Sequence, residues 1–262
     1  MSAVGTMYGT PQLGESLFAQ IEATQAVRPY LWSLGGCGFA IKYFDIVFYA
    51  DPVLDPAGAS RVRNADLLLA THTAPAHLHG ETLRAILAAS AKAKLVLPKS
   101  AADHAFALGI PYERMTTTDS GLRVEYFKNG MYARIYAVPS AHPELDATPL
   151  GGYPYLGYLI RCGDTTIYHA GGCRTYETLA DRLRPYNVSV AILPVAGEAN
   201  FTVPEAAALA ASIGARWLVP MHPQGADDGG FLSHMLFHCP QQRFKIFHPG
   251  EGWAVPALDQ EP

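Results

Sequence analysis

Histidines follow four predicted strands, each at or just after the point where the strand ends. The strands are predicted at 67–70, 131–138, 165–168 and 217–220, and the histidines are His72, His142, His169 and His222. Loops at the carboxyl ends of strands are where α/β folds collect ligands and catalytic groups. Histidine is the commonest metal ligand and the usual acid–base residue near neutral pH. The pattern therefore predicts a metal-binding or acid–base site built from four strand ends.

A layered scaffold of strands and helices is predicted to position these histidines. Residues 12–26 have the apolar spacing of an amphipathic helix, and Asn129-Gly130 between two alternating runs predicts a β-hairpin. Each half of the chain has strands first and then strand–helix units. This order predicts an α/β architecture of two mixed sheets with helices outside. We expect a single domain over 1–262, with pseudo-repeat halves at about 28–150 and 151–255.

The composition is typical of a well-buried globular chain and excludes several classes of protein. Charged residues make up only 16% of the 262 residues, against about 25% in most proteins. The net charge is −4 without a basic block, so no nucleic-acid partner is expected. No apolar run approaches about 18 residues, so no membrane partner is expected either. The chain start lacks a signal-peptide pattern and the cysteines are scattered, which predicts a cytoplasmic protein with reduced thiols.

Seven short motifs are similar to those of one known family, and the similarity covers the chain from about Leu31 to Trp253. The motifs are Leu31-Trp32-Ser33-Leu34-Gly35, Asp51-Pro52, Asn64-Ala65-Asp66, Val138-Pro139-Ser140-Ala141-His142, Tyr155-Leu156-Gly157-Tyr158, Ile167-Tyr168-His169-Ala170-Gly171 and Pro220-Met221-His222. With them the chain resembles the metallo-β-lactamase superfamily, in particular the branch of ascorbate-6-phosphate lactonase. The resemblance implies a four-layer αββα sandwich of two mixed sheets with outer helices. It also implies that a homo-oligomer can form through surface helices.

The metal-binding motif of that family is only partly retained. Its pattern H-x-H-x-D-H falls on His72 to His77, with Ala74 and Ala76 in place of the second histidine and the aspartate. Gly172 stands where the family has the aspartate that bridges two metals. Of seven expected ligands, the resemblance leaves four candidate metal ligands: His72, His77, His142 and His222.

The loss of both carboxylates limits the metal content of such a site. Two divalent ions a few ångströms apart repel strongly unless anionic ligands lie between them. Neutral imidazoles alone therefore support at most a mononuclear site. Zinc is favoured over manganese there, because manganese prefers oxygen ligands. A pocket that no longer binds any metal is equally consistent with the sequence.

Further residues are candidates for the same pocket: Asp51, His169, Gly172, Cys173 and Asn200. Asp51 can accept a hydrogen bond from a ligand histidine, and His169 is expected to make structural hydrogen bonds. Cys173 is either a thiolate ligand or nucleophile or, as we favour, a buried inert thiol. Asn200 lies in the loop where family members approach substrate. His79 opens a predicted helix and is expected to cap it or to lie at the surface.

Two hypotheses of function follow. The first is a hydrolase of the lactonase or phosphoesterase type that retains one metal and acts on a small molecule. The second is a non-catalytic descendant that binds a small-molecule ligand or serves as a scaffold and has lost metal and activity. The replacements at Ala74, Ala76 and Gly172 favour the second, whereas the intact surrounding motifs favour a pocket still in use. No residue is assigned a catalytic role from the sequence.

Overall fold

A computed structural model describes residues 14–197, 199–221 and 228–257. Its strands are β1 (Tyr30–Gly35), β2 (Gly38–Tyr43), β3 (Ile46–Ala50), β4 (Leu67–Leu69), β5 (Lys94–Pro98), β6 (Met115–Thr118), β7 (Arg123–Lys128), β8 (Met131–Pro139), β9 (Leu156–Cys162), β10 (Thr165–His169), β11 (Val190–Pro194), β12 (Trp217–Met221), β13 (Arg243–Phe244) and β14 (Gly252–Ala254). Its α-helices are α1 (Glu15–Ala23), α2 (Pro56–Ala59), α3 (Gly80–Ala89), α4 (Ala102–Ala107), α5 (Leu179–Leu183), α6 (Val203–Ser212) and α7 (Asp228–His238).

The strands form two mixed sheets. Within the described residues, the first sheet has the order β14-β1-β2-β3-β4-β5-β6 and the second has the order β13-β12-β11-β10-β9-β8-β7. In the first sheet β1, β2 and β3 pair antiparallel, whereas β3 to β6 run parallel. In the second sheet β7 to β10 pair antiparallel and β10 to β13 run parallel. Both sheets therefore combine antiparallel hairpins with parallel strands.

Alternate residues of the first sheet face two different cores. In β3, Phe48 belongs to the core between the sheets, whereas Val47 and Tyr49 pack in the core beneath α1, α3 and α4. The helices α5, α6 and α7 pack against the second sheet. The result is a four-layer arrangement, which confirms the predicted α/β class of two mixed sheets with outer helices.

The predicted hairpin at Asn129-Gly130 is confirmed. It joins β7 to β8, and both turn residues have positive φ angles, 50° and 81°, as a type I′ turn requires. The sequence did not indicate α2, β6 or β14, which have three or four residues each. The strands β7 and β8 lie within the predicted first half but join the second sheet. The boundaries of the pseudo-repeat halves stay a prediction.

None of the helices in the described ranges is both long enough and apolar enough to cross a membrane.

A buried carboxylate connects the two sheets. Asp66, directly before β4, accepts hydrogen bonds from the backbone N–H of Val47 at 2.9 Å, the Tyr126 hydroxyl at 2.7 Å and the Lys128 ammonium at 2.8 Å. Val47 belongs to the first sheet, and the other two donors belong to β7 of the second. Because the Asp66 side chain is only 6% exposed, its charge depends on these donors.

We predict that Asp66→Ala lowers the free energy of unfolding by about 3 kcal/mol, because it leaves buried donors without an acceptor. Chemical denaturation measures this change. The control is Glu125→Ala, which removes a half-exposed carboxylate 3.2 Å from Arg134 and should cost less than about 1 kcal/mol. Equal effects of the two substitutions would contradict a connecting role for Asp66.

Candidate functional site

The carboxyl ends of strands from both sheets meet at one place. From the first sheet, Asp51 follows β3, and Thr71 and His72 follow β4. From the second sheet, His142 follows β8 and the segment 170–173 follows β10. The strand-end histidines His72 and His142 lie in one region, with their ring centres 5.3 Å apart.

Close approach of the backbones joins the two sheets here. The Tyr158 hydroxyl donates to the carbonyl oxygen of Ala70 at 2.8 Å. The backbone N–H of Leu156 donates to the carbonyl oxygen of Thr71 at 3.0 Å. Gly171 has a φ of 63°, and a Cβ there would lie 2.6 to 2.7 Å from the Thr71 side chain. Only glycine fits this position, so the loop after β10 lies directly against the loop after β4.

Asp51 positions His77, one of the candidate metal ligands. Its fully buried carboxylate accepts the N–H of Thr71 at 2.9 Å on Oδ1. Its Oδ2 accepts the Thr71 hydroxyl at 2.8 Å and Nδ1–H of His77 at 2.6 Å. The bond from Nδ1–H therefore fixes the orientation of the His77 ring. Its φ of 43° is uncommon for a residue other than glycine.

The Asp51–His77 contact is an ion pair. Burial alone would raise the pKa of the Asp51 carboxyl, but the charge of His77 and its hydrogen bond outweigh burial and hold that pKa below its usual value. Burial alone would likewise lower the pKa of His77, but its interactions with Cys37 and Asp51 raise it to about 10. The Asp51 carboxylate and the His77 imidazolium thus balance each other's buried charge.

His72 and His142 resemble His77 in how their Nδ1 atoms are held. Nδ1 of His72 lies 3.0 Å from the Thr71 hydroxyl, whose own proton goes to Asp51. Nδ1 of His142 lies 3.2 Å from the carbonyl oxygen of Ala199. An acceptor oxygen at each position places the proton on Nδ1. Nε2 is then the nitrogen that can bind a metal, directly in His72 and His142 and, in His77, after the imidazolium has lost its Nε2 proton.

The three imidazole rings form one cluster. The ring centres of His72 and His77 are 4.0 Å apart, and those of His72 and His142 are 5.3 Å apart. Tyr155 packs against His72 and His142 with its ring centre 5.0 and 5.2 Å from theirs. His72 and His77 are buried and His142 is partly exposed. The fourth predicted ligand, His222, lies outside the described residues.

The three replaced ligand positions border this cluster or the turn that leads to it. A Cβ on Gly172 would lie 3.0 Å from Nδ1 of His142 and 3.2 Å from Cε1 of His72. The carbonyl oxygen of Ala74 accepts the N–H of His77 at 2.8 Å, so Ala74 and Ala76 lie in the turn before that histidine. A side chain at 172 would therefore enter the cluster, and glycine leaves it without a carboxylate there.

His169 is near the cluster but bonds away from it. Its Nε2–H donates to the carbonyl oxygen of Cys37 at 2.9 Å, and its Nδ1 lies 4.0 Å from Oδ2 of Asp51. Burial lowers the pKa of His169, which favours the neutral ring. This structural hydrogen bond has the form that the sequence led us to expect. His79 likewise accepts the N–H of Thr82 and caps α3.

The remaining predicted pocket residues flank the cluster. Cys173 is fully buried, and burial raises the pKa of its thiol to about 11, so it stays protonated at neutral pH. Its Sγ donates to the carbonyl oxygen of Arg174 at 3.3 Å. Asn200 follows Ala199, whose carbonyl oxygen accepts from His142, and is itself half-buried. The structure thus places an inert thiol and an amide beside the imidazoles.

Two residues of the site were missed by the sequence reasoning. Thr71 orients both His72 and His77 through its hydroxyl. Cys37 lies in the turn between β1 and β2, with Sγ 3.8 Å from Nε2 of His77. Cys37, Asp51 and His77 each offer a ligand atom, and these atoms lie within 4.8 Å of one another. The double glycine before Cys37 signals a turn, but nothing local indicates a partner forty positions away.

Comparison with known proteins gives one family. The sequence-family model of the β-lactamase superfamily domain matches residues 30–222 of this chain. A UPF0173 metal-dependent hydrolase of Pyrococcus horikoshii is 31% identical over 182 residues, which cover 66% of this chain and 75% of the relative. A UPF0173 metal-dependent hydrolase of Methanoregula boonei is 27% identical over 217 residues, which cover 79% of this chain and 89% of the relative.

Solved structures have the same fold. Igni18, a metallo hydrolase from Ignicoccus hospitalis, superposes with a TM-score of 0.70 at 19% identity, over 86% of this chain and 97% of its own. A metallo-β-lactamase fold protein from Bacillus subtilis superposes with a TM-score of 0.63 at 13% identity, over 86% and 99%. These likenesses confirm the sandwich architecture that the sequence motifs implied.

We predict that Asp51→Asn in metal-free protein lowers the free energy of unfolding by about 3 kcal/mol, because it leaves the buried His77 without its counter-charge. Urea denaturation in the presence of a chelator measures this loss. Asp164→Asn, in an exposed turn, is the matched control and should change the stability by less than about 0.5 kcal/mol. An Asp51→Asn variant as stable as the control would refute the ion pair.

Proposed function

The chain belongs to the β-lactamase superfamily, and from this premise we propose that it is a hydrolase with a mononuclear metal site. One divalent ion is bound through Nε2 of His72, His77 and His142, with His222 as a further imidazole ligand. Zinc is favoured over manganese because the donors are nitrogen atoms rather than oxygen atoms. The substrate is a small molecule with a lactone or phosphoester group.

One observation carries this proposal: the Nδ1 atom of each of the three clustered histidines faces an oxygen acceptor. The acceptors are the Asp51 carboxylate, the Thr71 hydroxyl and the Ala199 carbonyl. Metal-ligating histidines almost always donate their other ring N–H in this way, which fixes the tautomer and the ring orientation. Three clustered rings that each have Nδ1 against an oxygen acceptor are more typical of a metal site than of ordinary core packing.

The proposed site is mononuclear because it lacks anionic bridging groups. Alanine at 74 and 76 and glycine at 172 remove one imidazole and two carboxylates from the family pattern. Neutral imidazoles do not screen two divalent ions from each other. A single zinc ion coordinated by three imidazoles keeps its fourth position open for a water.

When bound, a divalent ion would polarise the substrate oxygen and make a water more acidic. Two residues of the protein fix the tautomers of the ligand histidines. Asp51 holds the proton of His77 on Nδ1, and Thr71 holds that of His72 on Nδ1. Tyr155 packs against the rings of His72 and His142 and limits their rotation. With alanine at position 76, no carboxylate there orients the attacking water, so we expect slow turnover.

A second candidate is a non-catalytic ligand-binding or scaffold protein that has lost its metal. The Asp51–His77 ion pair supports it, because the pair is neutral overall and needs no metal to balance the buried carboxylate. Both candidates retain the sequence-based expectations of a small-molecule ligand, a cytoplasmic location and a homo-oligomer, which stay predictions. They differ in metal content.

We predict that purified protein loaded with zinc retains about one equivalent by elemental analysis, and that His72→Ala retains less than about a tenth of an equivalent. The reason is that His72 lies between the other two rings. The loaded protein should hydrolyse members of a panel of lactones and nitrophenyl phosphodiesters, and His72→Ala should not.

The matched control is His104→Ala, which removes an exposed histidine of α4 and should leave metal content and hydrolysis unchanged. Less than about a tenth of an equivalent in the unaltered protein would refute the hydrolase and support the non-catalytic candidate. One equivalent of metal without turnover of any panel member would also refute the hydrolase.

We predict that the triple variant A74H/A76D/G172D binds close to two equivalents of metal, because it restores the bridging carboxylates. At 172 the new side chain would start 3.0 Å from Nδ1 of His142. The control A74H/A76N/G172N has amides of the same size without charge and should stay near one equivalent. If the first variant also stays near one, the alignment of the motif with His72 to His77 is wrong.

A further inference from the structure

Cys37 is a buried thiol at the edge of the histidine cluster with no role in the proposed function so far. It lies in the turn between β1 and β2 and is 2% exposed. Its Sγ donates to the carbonyl oxygen of Ala76 at 2.9 Å and lies 3.8 Å from Nε2 of His77. The sulfur therefore lies beside residue 76, one of the two positions from which a carboxylate is missing.

The backbone holds this thiol in place from the other side. Nε2–H of His169 donates to the carbonyl oxygen of Cys37 at 2.9 Å. His169 comes from β10 of the second sheet, whereas Cys37 belongs to the first. The sulfur of Cys37 thus donates to Ala76, and its carbonyl oxygen accepts from His169.

The distance from Cys37 to His77 matches that of two ligands on one ion. In a tetrahedral zinc site the Zn–S distance is about 2.3 Å and the Zn–N distance about 2.0–2.1 Å, so sulfur and nitrogen ligands lie roughly 3.6 Å apart. The observed separation of Sγ and Nε2 is 3.8 Å. Since Nδ1 of His77 is held by Asp51, Nε2 is the atom that turns toward the sulfur.

Of the three groups that could hold an ion here, Asp51 is already balanced by His77, so only Cys37 can add a negative charge, by losing its thiol proton. The oxygens of Asp51 already accept three hydrogen bonds. A thiolate would supply the anionic ligand that Ala76 and Gly172 do not, and a soft sulfur donor selects zinc or cobalt over manganese and magnesium.

We propose that Cys37 is the anionic ligand of the metal ion bound at His77, an inference that rests on the proposed function. Binding would release two protons to solvent, one from Sγ–H of Cys37 and one from Nε2–H of the protonated His77, and Sγ and Nε2 would then each be free to bind the ion. The hydrogen bond to Ala76 is given up in the same step. Cys173, the other buried thiol near the cluster, keeps its proton.

Cobalt(II) tests this ligand directly, because a thiolate bound to cobalt gives a charge-transfer absorption in the near ultraviolet that imidazoles do not. We expect this absorption in cobalt-loaded protein and in Cys173→Ser, and its loss in Cys37→Ser. Cys37→Ser should still bind cobalt, with a dissociation constant raised at least about tenfold, since even outer partners of a ligand are worth about 10–100-fold.

X-ray absorption at the zinc edge of the unaltered protein provides a second measurement that does not depend on a folded variant. One sulfur ligand per zinc is expected. Metal bound without any sulfur ligand overturns the role of Cys37 and leaves the proposed hydrolase standing. Loss of the cobalt absorption in Cys173→Ser rather than in Cys37→Ser also overturns it, and no bound metal at all overturns both proposals.

Discussion

Burying the Asp51 carboxylate is the constraint on which the rest of the site depends. An ionised carboxylate taken out of water costs several kcal/mol unless hydrogen bonds and an opposite charge replace the solvent. Thr71 supplies two hydrogen bonds and His77 supplies the charge. The end of β4 and the turn after it are therefore held against the end of β3. The same bonds determine which nitrogen His72 and His77 present to a ligand.

Thr71 also explains why the site forms where the two sheets meet. Its hydroxyl belongs to the Asp51 network, whereas its carbonyl oxygen accepts from Leu156 and its side chain lies against Gly171 of the second sheet. Through this one residue, the buried charge of the first sheet and the loops of the second are placed in contact. His142 can join the cluster only because the loops of the second sheet come this close.

Local patterns in the sequence located much of the fold and part of the site. A short apolar run followed by polar residues predicts a strand and the loop after it from the local sequence alone. For this reason His72 and His142 could be placed at strand ends. His77 was identified only through the family motif. Thr71 and Cys37 could not be identified, because what they do depends on Asp51, twenty positions from Thr71, and on His77, forty positions from Cys37. Likewise, β14 has three residues and exists because β1 pairs with it.

The pairing of β14 with β1 has a consequence for how the chain is made. The first sheet is assembled from residues 30–118 except for its edge, which comes from residues 252–254. During synthesis β1 therefore exposes unpaired backbone groups until residues 252–254 have been made, and such an edge is prone to pair with other chains. Pairing with β14 covers that edge and brings Glu251 and Gly250 into hydrogen bonds with Ser33. The first sheet is thus complete only about 130 residues after its other strands have been made.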